Sequence, residues 1–134
     1  MPAINDAKIL ILATHGFEQS ELEVPRTKLG STGATVHLAT PNGEDIRGWD
    51  KTDWGALAHH DLDLALVEPA DYDALVLPGG QINPDLLRVN PQAIELIRAF
   101  HDAGKVIAAI CHAPWLLIEA GLADGVLPPD GVAM

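Results

Sequence analysis

The chain has 134 residues, 48% apolar and 20% charged, the balance of an ordinary globular protein, so a single domain over residues 1–134 is the default expectation. A chain of this size buries roughly two-thirds of its unfolded surface and needs neither disulfides nor a structural metal, and its single cysteine, Cys111, has no intrachain partner. Nineteen acidic against eight basic residues leave a formal charge of -11, which argues against stable binding to nucleic acid or an anionic membrane; with no membrane-length apolar run and no signal-peptide pattern at Met1 to Ala7, a reducing cytoplasmic location is expected.

Lys8 to Ala13 is a continuous apolar run, which predicts a strand covered on both faces and hence a central parallel sheet. Ser20 to Leu29 has helical composition, with Ser20 as N-cap and Glu21 and Glu23 in the first turn; Pro25 must then sit near that turn or kink the helix. Thr35 to Ala39 is a second strand, closed by the turn Pro41-Asn42-Gly43. Glu44 to Asp63, with Trp49, Trp54 and the His59-His60 pair, is the least regular stretch and reads as an excursion carrying short edge strands.

Asp73 to Leu77 is a third buried strand running into Pro78-Gly79-Gly80. A helix follows over Pro91 to Ala103, with Asn90 as N-cap, Gly104 as stop, and Ile94, Ile97 and Phe100 on one stripe. Val106 to Ile110 reads as a fourth buried strand ending at Cys111-His112, and Ala113 to Ala120 resumes helical character with Pro114 in its first turn. Strands alternating with helices predict an α/β, doubly wound sandwich with a central, mainly parallel sheet. Val126 to Met134 fits neither strand nor helix.

Ligands of such sheets bind beyond the carboxyl ends of the strands, which directs attention to Thr14–Glu18, Gly79–Gln81 and Cys111-His112. A lone cysteine is most often a small buried hydrophobe, but Cys111 stands between a strand and a helix start, where the helix dipole and open amides favour a thiolate. Gly79-Gly80 lets backbone amides approach a ligand and could form an oxyanion hole, worth about 3 kcal/mol per donor; alone, it is also an ordinary turn. Glu18, if folded against Cys111, would have its pKa raised by burial and could donate a hydrogen bond to the thiolate. His112 could serve as general base or imidazolium partner, oriented by a carboxylate such as Asp85, although neighbours at a tight turn usually point apart. His15 is the one other histidine near the crevice; with His37, His59, His60 and His101 it lacks metal-site spacing, and no metal is expected.

In this order the motifs resemble the PfpI branch of the ThiJ/PfpI superfamily, relatives of class I glutamine amidotransferase domains. The likeness rests on Gly16-Phe17-Glu18 with Glu21-Leu22, on Ala74-Leu75-Val76-Leu77-Pro78-Gly79-Gly80, and on Ala108-Ala109-Ile110-Cys111-His112-Ala113-Pro114-Trp115-Leu116-Leu117, and runs from about Lys8 to Gly125. It implies a flavodoxin-like sandwich with Cys111 as nucleophile, Glu18 as its hydrogen-bond partner, and the amides of Gly80 and His112 as oxyanion hole. It also implies that His112 works with an acid from a neighbouring subunit, for which Asp85 stands in the matching position, so that a homodimer or higher oligomer places the site near its interface. Family members normally continue past Leu122 to Gly125 through further strands and a closing helix, so this chain reads as C-terminally incomplete.

The activities that the resemblance implies are those of a cofactor-free glyoxalase, a deglycase, a cysteine peptidase and a stress-linked chaperone. A thiolate adding to a small aldehyde or glycated substrate, with Glu18 or His112 shuttling protons, uses every named residue and no cofactor. The alternatives are a peptidase-like hydrolase and a redox-sensing or chaperone protein in which Glu18 stabilises a Cys111 sulfinate.

Overall fold

A computed structural model describes residues 3–80, 82–110 and 113–121; Gln81, Cys111, His112 and residues 122–134, including the irregular tail 126–134, lie outside the described residues. The strands are β1 (Lys8–Leu12), β2 (Thr35–Thr40), β3 (Ile46–Asp50), β4 (Asp53–Ala58), β5 (Leu62–Asp63), β6 (Ala74–Leu77) and β7 (Val106–Ala109). The helices are α1 (Gln19–Ser31), α2 (Asn83–Leu87), α3 (Pro91–Asp102) and α4 (Pro114–Glu119). Among the described residues no helix is long and apolar enough to cross a membrane.

Five strands form one parallel sheet in the order β5-β2-β1-β6-β7. Ile9 pairs with Val36 on one side and Ala74 on the other, and Leu75 pairs with Ile107. Because successive side chains of a strand point to opposite faces, the unbroken run of β1 feeds two cores. Ile9, Ile11 and Ala13 pack with Phe17, Leu22 of α1, Leu38 and Ile46. Leu10 and Leu12 pack with Leu75, Leu77 and the helix residues Leu96, Ile97, Phe100 and Leu116. Helices on both faces of a parallel sheet make the doubly wound α/β sandwich that the alternation of elements predicts.

Several local expectations hold for the reasons given. Asn90 caps α3, its Oδ1 accepting from the amides of Gln92 and Ala93 at 3.0 and 3.3 Å. Gly104 ends the helix with φ +71, and the Asn42-Gly43 pair turns with both φ values positive.

Others are corrected. The cap of α1 is Glu18 rather than Ser20, and its side chain makes no capping bond. Pro25 lies inside α1, beyond its first turn, where it lacks the amide that would have reached the Glu21 carbonyl and its ring crowds that carbonyl; the neighbouring Val24 is solvent-exposed. The buried stripe of α3 is Ala93, Leu96, Ile97 and Phe100, with Ile94 only partly covered at its edge. Among the described residues β7 is an edge strand and Val106 is 52% exposed, so it is not covered on both faces as its apolar sequence predicts. The excursion resolves into an antiparallel β3–β4 hairpin, a separate two-stranded sheet, followed by the two-residue β5 on the edge of the main one.

Phe100 is fully buried where α3 meets the sheet. Phe100→Ala is expected to lower unfolding stability by about 3–5 kcal/mol, read as a drop in urea midpoint with an unchanged slope.

Candidate active site

From β1 the chain winds outward through β2 to β5 on one side of the sheet, and the later strands β6 and β7 extend it on the other. The connections beyond β1 and β6 therefore part at a topological switch point, where a crevice forms at the carboxyl ends of the strands. The residues that line this parting are Thr14 to Glu18 after β1 and Pro78 to Gly80 after β6.

Backbone contacts hold the two loops together. The Glu18 amide donates to the Gly79 carbonyl at 3.1 Å, and the Gly79 amide donates to Glu21 Oε1 at 2.9 Å. Gly80 has φ +107, and a Cβ there would lie 2.5 Å from the Gly16 carbonyl oxygen and 2.7 Å from the Glu18 nitrogen. Only glycine satisfies both the conformation and the approach. Glu21 occupies the Gly79 amide.

Asn83, with no solvent exposure, spans the parting itself. Its Oδ1 accepts from the Thr14 amide at 2.8 Å, and its Nδ2 donates to the carbonyls of Pro78 and Gly79 at 2.8 and 3.3 Å. Residue patterns gave this side chain no role; the available signal is the Asn83-Pro84 pair, which starts turns.

Glu18 is half-buried beside the same loop. The hairpin reaches it from the other side: Trp49 donates its amide to the Phe17 carbonyl at 2.6 Å in a parallel bridge, and the Lys51 amide donates to Glu18 Oε1 at 3.3 Å. His15 Nδ1 accepts from the Arg47 amide at 3.1 Å, which leaves its proton on Nε2, 3.7 Å from the Glu44 carboxylate. The structure thus brings together Glu18, Gly79 and Gly80, with His15 at the rim tied to the hairpin. Asp85 stands apart in the first turn of α2, with its side chain 67% exposed and paired to Arg88 at 3.5 Å. Cys111 and His112 lie outside the described residues; beside them, the Ile110 amide donates to the Leu77 carbonyl at 3.1 Å and Ala113 is fully buried.

A second polar cluster, to which residue spacing gives no role, forms around Asp45. Asp45 accepts from His59 Nδ1 at 2.9 Å and from both Nδ1 and the amide of His60 at 2.6 and 3.0 Å. These bonds, the His60 ring first and the His59 ring next, hold the Asp45 carboxyl well below the usual carboxylate range. Asp45 precedes β3 and the histidines follow β4, so the cluster clasps the open end of the hairpin. Among the described residues no group of three or more His, Cys, Asp or Glu side chains is arranged to hold a metal ion.

Comparison with known proteins agrees with this architecture. The sequence profile of the DJ-1/PfpI family matches residues 7–126. The deglycase TK1284 of Thermococcus kodakarensis is 37% identical and the deglycase PfpI of Pyrococcus furiosus 39% identical, each over 118 residues that cover 88% of this chain and 68% of the relative. The crystal structure of Drosophila melanogaster DJ-1beta superposes with a TM-score of 0.79 at 30% identity, covering 90% of this chain and 63% of that one. The chain thus spans about two-thirds of the length of these proteins.

Gly80→Ala is expected to destabilise the protein by about 2 kcal/mol or more, because the new methyl group meets backbone rather than a movable side chain; equilibrium unfolding reads this directly. For Asp45, a carboxyl pKa depressed on folding contributes stability that is present above the ordinary value of 3.8 and is lost as pH falls below it. Asp45→Asn is accordingly expected to melt lower than wild type at pH 7, with the gap closing as melts are repeated below pH 4.

Proposed function

The chain belongs to the DJ-1/PfpI family, and from that premise we propose that it is a cysteine-dependent enzyme, working without a cofactor, that acts on small reactive aldehydes or their adducts as glyoxalases and deglycases do. The observation that carries the proposal is the convergence of Glu18 and the Gly79-Gly80 loop at the switch-point crevice, one hydrogen bond apart. The deglycase names of the relatives, which match this region, support it.

In the reaction the Cys111 thiolate adds to the aldehyde carbon. A carbon–sulfur bond forms, and the carbonyl π pair moves to oxygen as an alkoxide. The amides of Gly80 and His112 receive that oxyanion, and a proton from Glu18 or His112 completes the hemithioacetal. With methylglyoxal, the hemithioacetal C–H proton moves to the neighbouring carbonyl carbon and the hemithioacetal hydroxyl proton to that carbonyl's oxygen, which yields a thioester of a 2-hydroxy acid. Water then hydrolyses it and regenerates the thiol. The exposure of Asp85 on α2 favours a role across an interface, in which it orients His112 of a second copy in a homodimer or higher assembly.

Purified protein is expected to consume methylglyoxal with no added cofactor. Cys111→Ala should lose at least about 99% of that rate while retaining the wild-type circular dichroism spectrum and melting temperature; equal turnover by this variant would overturn the proposal.

A further inference from the structure

The Pro78-Gly79-Gly80 run contains two successive peptide units, and nearly all of their polar atoms are engaged. In the first, the Pro78 carbonyl accepts from Asn83 Nδ2 and the Gly79 amide donates to Glu21. In the second, the Gly79 carbonyl accepts from both Asn83 Nδ2 and the Glu18 amide. The other end of that second unit is the Gly80 amide. A peptide unit is planar and trans, so fixing the direction of its carbonyl fixes its N–H in the opposite direction. Donors on the carbonyl also polarise the unit and strengthen the N–H as a donor.

We propose that Asn83 is a positioning residue for the oxyanion step: anchored by the Thr14 amide on the β1 side, it holds the Gly79 carbonyl and thereby aims the Gly80 amide at the oxyanion. The proposal deepens the function above and rests on its oxyanion reading of Gly80. Glycine at 80 makes this control necessary, because a residue without Cβ leaves its peptide free to rotate unless neighbours restrain it. Glu18 shares the task through its backbone, so the acid assigned to Cys111 and the amide assigned to the alkoxide hang on one peptide. Asn83 touches neither substrate nor sulfur in this scheme. Its effect falls on the step that develops charge on oxygen, and not on formation of the thiolate.

The test compares wild type with Asn83→Asp, which keeps an acceptor for Thr14 but presents no amide donors to the carbonyls, and with Asn83→Ala, which removes all three bonds without burying a charge. The measurements are kcat and KM for methylglyoxal, the rate of Cys111 alkylation by iodoacetamide, and hydrogen–deuterium exchange of the Gly80 amide against core amides of β1. The expected result is a 10- to 100-fold fall in kcat with KM and alkylation rate within about twofold of wild type, and Gly80 exchange accelerated at least tenfold with β1 protection retained. Two results would overturn the proposal: kcat within twofold of wild type in a folded variant, or a loss of kcat matched by equal losses in alkylation and β1 protection, which marks simple unfolding. Absence of turnover in the wild type would instead remove the aldehyde reading. Exchange then decides the positioning role alone, with unchanged Gly80 exchange in the variants counting against it.

Discussion

The gap that opens between β1 and β6 at the end of the sheet is the constraint around which the rest is arranged. Parallel strands satisfy each other's backbone groups only along their paired length, and where their connections diverge the Thr14 amide and the Pro78 and Gly79 carbonyls are left without strand partners. Asn83 supplies one acceptor and one two-proton donor group in the right separation, fully removed from water. An apolar side chain there would leave the Thr14 amide and the Pro78 carbonyl unpaired in a buried place, each costing about 1–3 kcal/mol, while the Gly79 carbonyl would keep only the Glu18 amide. The crevice exists because of the topology, and it is ordered because this amide bridges it.

Closeness of the two loops follows from the same requirement. Gly80 rests on the backbone of Gly16 to Glu18 at distances that exclude any side chain, and Gly16, with φ +79, turns where a Cβ would overlap Ile82. The contact between Glu18 and the Gly79 carbonyl is then a consequence of packing two chains without side chains between them. The hairpin completes the enclosure. It adds Trp49 beside Phe17, reaches Glu18 through the Lys51 amide, and donates the Ala56 amide to Gln19 Oε1. Its own ends are drawn together by Asp45 and the two histidines, so a cluster remote from the chemistry in sequence bears on the strand that flanks Glu18.

The parts of the fold legible from residues alone are those whose signals are local. The apolar runs of β1, β2 and β6, the Asn90 cap and Gly104 stop of α3, and the Asn42-Gly43 turn each depend on a period or a backbone preference within a few residues. The stretch from Glu44 to Asp63 reads as carrying short edge strands and β5 is one, but two residues carry no period that would place it; for α1, Ser20 is chemically the better cap, yet the helix begins after Glu18, where the Glu18–Trp49 bridge lies. β7 shows the converse limit: apolar sequence states that a strand should be covered, not which element covers it. At the crevice, the places of Glu18 and Gly80 after strands could be read in advance. Asn83 and Glu21 could not, since an asparagine before a proline and an acid in a first helical turn have ordinary local explanations.

By itself, then, the sequence determined the order and type of the main elements, the family likeness, and which strand ends are followed by Cys111, Glu18 and the paired glycines. These follow from periodicity, turn chemistry and motif order, all of which act over short spans of chain. The tertiary structure alone decided which groups hold those residues in place. Thr14 and Asn83 are 69 residues apart, Glu21 and Gly79 58, and Glu18 and Lys51 33. No local preference spans such separations; they meet because the sheet order brings β1 beside β6 and the hairpin beside Phe17, where buried backbone groups must find partners.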